Sequence, residues 1–265
     1  SLAMDWAENR GWDPQRGGQR QYARQTLLVF HSFFAIVTGL GMAGAFGGLD
    51  AVRQCCSPAL FLRFLPVSLC FATGLSLKMM AVDHFQAGTI KIVGQLRLPV
   101  VAFMSTLVLG RHYSSLQWQV IAMITGSCIA FVMMKGQNRV AKGKAVKWTG
   151  LSQLLVWVLL NVIGGIIAER AYKTGTVPFY AQKVAEDVGH LLVSMVMLYL
   201  VVPSFDKSEN VLDKEARPGG FFDSWDLRTV VAVLFLFADA WVGNLLLKEF
   251  SSVTRSVAKA FAIGV

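Results

Sequence analysis

The chain has 265 residues, of which 54% are hydrophobic and only 15% charged, and its mean hydropathy is +0.51. A soluble domain carries about 25% charged residues, so this composition excludes an ordinary soluble protein and indicates a membrane protein. The net charge is +9. The positive residues cluster in short segments between apolar runs, which is typical of loops at an anionic membrane surface and argues against nucleic-acid binding.

The first 25 residues are polar and lack hydrophobic periodicity, which predicts a polar N-terminal tail. Long apolar runs follow, each close to the length of helix that crosses a bilayer. Seven membrane spans and the start of an eighth are predicted, at residues 26–46, 58–82, 87–110, 116–134, 148–168, 184–202, 227–247 and from 252 onward. Short connections predict antiparallel hairpins between neighbouring helices. The sequence thus predicts an all-α polytopic membrane domain over residues 26–265.

A basic segment divides this domain. Residues 135–147 contain five basic residues and no acidic one, namely Lys135, Arg139, Lys142, Lys144 and Lys147. Such a segment is predicted to be a loop on the cytosolic or stromal side of the membrane. It separates a first half, residues 26–134, from a second half, residues 148–265.

A few ionisable residues interrupt the apolar runs, and Arg97 lies deepest, near the middle of the third predicted span. Charged side chains inside a bilayer cost about 2.5–3.5 kcal/mol on insertion scales and usually face a cavity or a partner. Two readings remain open for Arg97: it binds an anion in a polar cavity, or it forms an ion pair with Asp239 or Glu186 that fixes helix packing. Pro99, two residues later, predicts a kink near this site.

Two histidines, His31 and His190, lie on predicted membrane helices. They fit hydrogen-bonded packing residues, and as neutral imidazoles they are also candidate ligands of a pigment or haem. The four cysteines show no metal-binding spacing. Because no catalytic triad, phosphate loop or zinc pattern stands out, the sequence predicts no enzyme.

Three motifs occur in the order and spacing of one family. They are Gln95-Leu96-Arg97-Leu98-Pro99 with the Leu109-Gly110-Arg111 and Leu116-Gln117-Trp118 that follow it, the run Gly164-Gly165-Ile166-Ile167-Ala168-Glu169-Arg170-Ala171-Tyr172-Lys173, and Val257-Ala258-Lys259-Ala260-Phe261-Ala262. Together they resemble the nucleotide-sugar transporters of the drug/metabolite transporter superfamily. The resemblance covers residues 26–265. It implies a ten-helix fold of two inverted repeats, of which about seven to eight helices are present here, with substrate bound near the midplane.

The resemblance also implies a substrate site. Family lysines that approach the anionic nucleotide correspond to Arg97 and Lys259, and Lys91 and Gln95 are the further site residues it suggests. Two cations from different halves can share a phosphate, which arginine binds bidentately. Several family residues that read the nucleobase and ribose are replaced, at Ile90, Gly94, Gly74, Leu75 and 182–185. Their loss predicts weak discrimination between nucleotides.

Two functions follow as hypotheses. The first is an antiporter that exchanges nucleotide-sugars or sugar phosphates by alternating access, with an anionic phosphorylated solute as its partner, no cofactor, and a Golgi or endoplasmic-reticulum membrane as its location. The second is a non-transporting, transporter-derived subunit of a larger membrane assembly, for example an algal photosystem or antenna complex in a thylakoid. Its partners would be other membrane subunits, and His31 or His190 would ligate chlorophyll.

Overall fold

A computed structural model describes residues 23–82, 84–85, 89–90, 93–110, 112–141, 148–174, 177–205, 210–213, 219–223 and 225–264. These parts of the chain form eight long helices and no strand. The helices are α1 Arg24–Cys55, α2 Pro58–Ala81, α3 Arg97–Leu109, α4 Ser115–Ala141, α5 Trp148–Lys173, α6 Phe179–Val196, α7 Leu227–Glu249 and α8 Ser252–Gly264. α6 continues through a π-helical turn, Met197–Val201, to Val202–Phe205. The prediction of an all-α polytopic membrane protein is confirmed.

Five of the described helices have the dimensions of membrane spans. α1, α2, α5, α7 and the extended α6 are long and apolar enough to cross a bilayer, and Gly94–Val108 forms a shorter apolar helix. α1 extends nine residues beyond the end predicted at residue 46. Within it, Gly48 has non-helical torsion angles, a φ of 63° and a ψ of −160°. That left-handed φ suits glycine, which has no Cβ to clash there.

The third predicted span is not one regular α-helix. A 3-10 turn, Gly94–Leu96, leads into α3, which begins at Arg97. Pro99 therefore occupies the first turn of α3, where its missing N–H leaves no intrahelical bond unmade. Arg97 is thus the first residue of the regular α-helix, but helical residues precede it at 89–90 and 93–96, so it remains inside the third predicted span.

The basic segment is partly helical. α4 continues to Ala141, seven residues beyond the predicted end of the fourth span at residue 134. Residues 135–141 therefore extend a helix rather than form a loop. No proline occurs there to end α4, and the single Gly136 is tolerated within a helix. The other residues of the segment, 142–147, lie outside the described part of the chain.

The most extensive helix packing joins helices that are distant in sequence: α2 packs along α5, α1 along α6, and α2 also along α6. By contrast, the neighbours α1 and α2 touch over a short stretch, so the predicted hairpin contact is a minor one. The largest core cluster spans these helices and includes Phe64, Tyr172 and Leu247. Helices before residue 135 and after residue 147 thus share one core, and that places polar groups from both near each other.

Candidate functional site

A small cavity lined by both polar and apolar side chains lies between α3, α5, α7 and α8. Its lining is Arg97, Val101, Asn161, Val162, Gly165, Leu247, Ser252, Arg255 and Ser256. We call it the two-arginine cavity, because two guanidinium groups from α3 and α8 reach it. α3 precedes the basic segment and α8 follows it, so the cavity draws its cations from both sides of that segment.

Arg97 enters the cavity from the first residue of α3. Its Nε is buried and has no hydrogen-bond partner among the described residues. A buried donor without a partner is costly, and an acceptor that enters the cavity would satisfy it. Leu98 and Val101 beside it are buried and fix the helix turn that presents the guanidinium.

Arg255 enters from the first turn of α8. Its guanidinium carbon lies 5.1 Å from the centre of the Phe71 ring, and a Cβ built on Gly243 would lie only 3.0 Å from its Nε and 3.1 Å from its Nη2. The group is therefore held between an aromatic face and the bare backbone of α7. Its Nε is also buried without a partner in the described part of the chain. Stacking of this kind favours arginine over lysine.

Uncharged polar groups complete the cavity. Asn161 donates its amide to the Trp157 carbonyl at 3.1 Å, which directs its side chain. The Ser256 hydroxyl donates to the Ser252 carbonyl at 2.9 Å, whereas the buried Ser252 hydroxyl finds no partner among the described residues. Two guanidinium groups with nearby hydroxyl and amide groups give the cavity several donors that an anionic oxygen could accept from. The space inside is about 10 Å³, enough for about one water, so a larger solute requires the surrounding helices to move apart.

Acidic residues near the cavity bear on the two readings of Arg97. Asp239 attracts both Arg97 and Arg255, and Glu186 attracts Arg255. The Glu186 carboxylate, however, accepts hydrogen bonds from Tyr172 and Asn244, the latter at 2.8 Å, and pairs with Lys183. Glu186 is thus engaged with partners other than Arg97. The attraction between Asp239 and Arg97 is compatible both with anion binding by Arg97 and with an ion pair that fixes helix packing.

α6 carries a buried ionic cluster beside the cavity. Lys183 Nζ lies 2.5 Å from Asp187 Oδ1 and 3.4 Å from Glu186 Oε1, and all three side chains are fully buried. With Arg97, Arg255 and Asp239, this gives three basic and three acidic groups in one region. Because Glu186 and Asp187 pair with Lys183, the acids offset the positive charge of the two-arginine cavity only in part.

The two histidines meet in the interior. The His31 and His190 rings are 6.0 Å apart, edge to face, and His190 Nδ1 lies 2.9 Å from the Ser32 hydroxyl. Both side chains are buried, and neither ring nitrogen of His31 has a partner among the described residues. His190 therefore agrees with the expected hydrogen-bonded packing residue, whereas His31 packs between α1 and α6 without a hydrogen bond to the described residues. Ligation of chlorophyll by either ring stays a prediction.

The other predicted site residues have mixed outcomes. Gln95 is half-buried in the 3-10 turn before α3 and does not line the two-arginine cavity. Lys91 lies outside the described residues. Lys259 lies on α8, but its side chain is outside the described part of the structure. Their roles at a substrate site stay predictions.

Arg255 is the site residue that sequence reasoning missed. A signal was available, because Arg255 precedes Lys259 by four residues and the two share one helix face. On α8, the family resemblance suggested Lys259 as a site residue and did not include Arg255. Tyr172 lies near the end of one of the family-like motifs and Lys183 lies in a stretch that departs from the family, but only the fold places them, with Asn244, around Glu186.

The fold defines the class of protein: a polytopic helical membrane protein, with a small buried cavity that two arginines line between helices from both sides of its basic segment. The nucleotide-sugar transporter family model matches residues 60–265, well over half of the chain. The chain belongs to the nucleotide-sugar transporter family. This confirms the family suggested by the three motifs and makes the chain an integral membrane transporter protein by family.

Proposed function

We propose that the chain is an antiporter for phosphorylated solutes and that the two-arginine cavity binds their phosphate. The observation that carries this proposal is the convergence of Arg97 and Arg255 on one cavity, each with a buried Nε that lacks a partner among the described residues. Charge-assisted bonds from arginine to phosphate are strong and frequently bidentate. A phosphate dianion supplies enough acceptors for both guanidinium groups at once.

The same charges favour exchange over one-way transport. Arg97 and Arg255 repel each other in a low-dielectric region, and the nearby acids offset this only in part because Glu186 and Asp187 pair with Lys183. Carrying the remaining charge through the membrane without a bound anion is unfavourable. A bound phosphate offsets that charge, so the loaded carrier changes conformation more readily than the empty one. Strict exchange of one phosphorylated solute for another follows from this difference.

The residues around the cavity favour a solute whose binding depends little on contacts with a nucleobase. Gly74 and Gly94 stand where the family resemblance expects side chains that read the nucleotide. Trp157 fills this space: a Cβ on Gly94 would lie 3.0 Å from its ring, and one on Gly74 would lie 3.5 Å from it. A sugar phosphate therefore fits the proposal as well as a nucleotide-sugar does.

Counterflow in liposomes tests the function. Purified chain is reconstituted into vesicles preloaded with a nucleoside monophosphate, a sugar phosphate or inorganic phosphate, and uptake of labelled solute is measured. We expect Arg97→Ala and Arg255→Ala each to reduce exchange at least tenfold, because each removes a charged phosphate contact.

The matched control is Arg53→Ala, which removes an arginine whose side chain is 83% exposed near the end of α1. It should leave exchange unchanged. Normal exchange by the folded Arg97→Ala and Arg255→Ala variants would overturn the assignment of the cavity. Absence of exchange by the unvaried protein with every tested phosphate would overturn the function.

A further inference from the structure

The turn between α7 and α8 is held from outside by the end of α5. Glu169 Oε2 accepts a hydrogen bond from the Ser252 backbone N–H at 2.9 Å, and Glu169 Oε1 lies 3.0 Å from Lys173 Nζ. Lys173 in turn donates to the Phe250 carbonyl. One ion pair on α5 thus binds the last carbonyl region of α7 and the first N–H of α8.

Both contacts suit the helix ends they meet. The N–H groups in the first turn of a helix lack intrahelical partners and attract negative charge, while the last carbonyls attract positive charge. Glu169 is only 2% exposed, so water screens its contact with Ser252 little. Lys173 follows Glu169 by four residues, the favourable order for an ion pair on a helix, and neutralises a carboxylate that would otherwise repel an anion nearby.

α8 does not need Glu169 in order to start as a helix. The Ser251 hydroxyl accepts from the Thr254 N–H at 3.1 Å, which is a local N-cap. The hydrogen bond to Glu169 is therefore not needed to form the helix. Its effect is to fix the position of the start of α8 relative to α5. Ser252 lines the two-arginine cavity, and Arg255 is one helical turn further on.

We propose that Glu169 is a positioning residue for the anion site. Its hydrogen bond with the Ser252 N–H holds the start of α8 against α5, a contact that we call the seating of α8. Arg255 then faces Arg97 across the cavity. This inference rests on the proposed function for its effect on transport, but the seating of α8 can be measured without it.

A disulfide measures the seating directly. A Cβ built on Gly165 lies 4.0 Å from Ser252 Cβ, within the range for disulfide partners. We expect Gly165→Cys/Ser252→Cys to cross-link readily under mild oxidation, as read by mass spectrometry. Adding Glu169→Ala should slow cross-linking at least fivefold. Adding Glu169→Gln should slow it less than twofold, because the glutamine carbonyl still accepts from the backbone N–H of residue 252.

Binding of inorganic phosphate supplies the second readout, with the single variants in detergent. Glu169→Ala should weaken phosphate binding about tenfold and Glu169→Gln about twofold or less. The matched control, Glu249→Ala, removes an exposed acid three residues before Ser252 and should change neither readout.

The outcomes separate the two proposals. If unvaried protein binds no phosphate but cross-linking still depends on Glu169, the function fails while the seating of α8 holds. If phosphate binds but Glu169→Ala matches the unvaried protein in both cross-linking and binding, the positioning role is overturned. Equal loss in the Gln and Ala variants would also overturn it, because that would make charge rather than the hydrogen bond the cause.

Discussion

At the scale of single residues, the site depends on one glycine as much as on its arginines. Gly243 on α7 leaves room for the flat guanidinium of Arg255, which would lie 3.0 Å from a Cβ at that position. Contacts this short force a neighbour to move. Because Phe71 closes the opposite face of Arg255, the guanidinium has little freedom to retreat without leaving the cavity.

We therefore expect Gly243→Ala to weaken phosphate binding about three- to tenfold while the protein stays folded. Alanine itself favours a helix interior over glycine by roughly 0.5–1 kcal/mol, so a loss of binding would not reflect a weakened α7. Binding titrations and thermal unfolding of the same preparations check this. The matched control is Gly126→Ala on α4, where a new Cβ meets nothing within 4 Å. Unchanged binding in Gly243→Ala would show that Arg255 does not need its present position.

The α6 cluster is a second residue-scale feature. Glu186 is bonded to Tyr172, Asn244 and Lys183, whereas Asp187 Oδ2 has no partner among the described residues. A buried acid beside a buried lysine is stable only while both are present, since removing one partner leaves an uncompensated charge. The cluster thus fixes α6 against α5 and α7, next to the cavity.

At the scale of helices, close approach depends on small residues. α1 and α6 meet where Gly39 faces Val184, and a Cβ on Gly39 would lie 2.4 Å from the Val184 Cγ2 methyl. The same device recurs between α2 and α6, where a Cβ on Gly189 would lie 2.6 Å from the Ser68 hydroxyl. Small residues let membrane helices pack backbone against backbone, which is a main source of their association.

Gly39→Ala should separate α1 from α6 and lower the unfolding temperature in detergent. The expected cost is about 1–3 kcal/mol, the usual range for overpacking. Val184→Ala, made in the same chain, should recover a large part of the loss by removing the opposing methyl. Gly41→Ala, on the same helix with nothing within 4 Å of its new Cβ, should be neutral. Equal effects at both glycines would point to backbone flexibility instead of packing.

At the scale of the whole molecule, helices from both sides of the basic segment build one core and one cavity. This arrangement suits alternating access, in which one group of helices moves against the other around a fixed site. The assembly-subunit hypothesis uses the same fold differently: it needs neighbouring proteins on the lipid-facing surface and pigment beside the histidines.

Extraction from native membranes in mild detergent separates these two uses. For the antiporter we expect a colourless particle of one or two protomers, because its site requires no pigment or second subunit. Mass photometry and an absorption spectrum check this, and fractionation of tagged protein tests the proposed endoplasmic-reticulum or Golgi location against a plastid one. A large pigmented particle would contradict the transport proposal and favour the subunit.

The sequence by itself determined the all-α membrane class, the approximate spans and the family, and it identified Arg97 as a candidate site residue. These features are local: bilayer thickness sets the length of each apolar run, and a charge within such a run stands out wherever it packs. The start of the regular α-helix α3 at Arg97 also had a local sign in Pro99, since proline suits the first turn of an α-helix.

Only the tertiary structure decided which side chains meet. Helices such as α5 are apolar on all sides, so hydrophobic periodicity does not show which face packs on protein and which on lipid. The pairing of α1 with α6 and the approach of Arg255 to Arg97 depend on contacts between residues more than a hundred positions apart. The hydrogen bond from the Ser252 N–H to Glu169 likewise joins two helices. Because its donor is a backbone group, which every residue but proline has, the amino-acid sequence does not show where this bond forms.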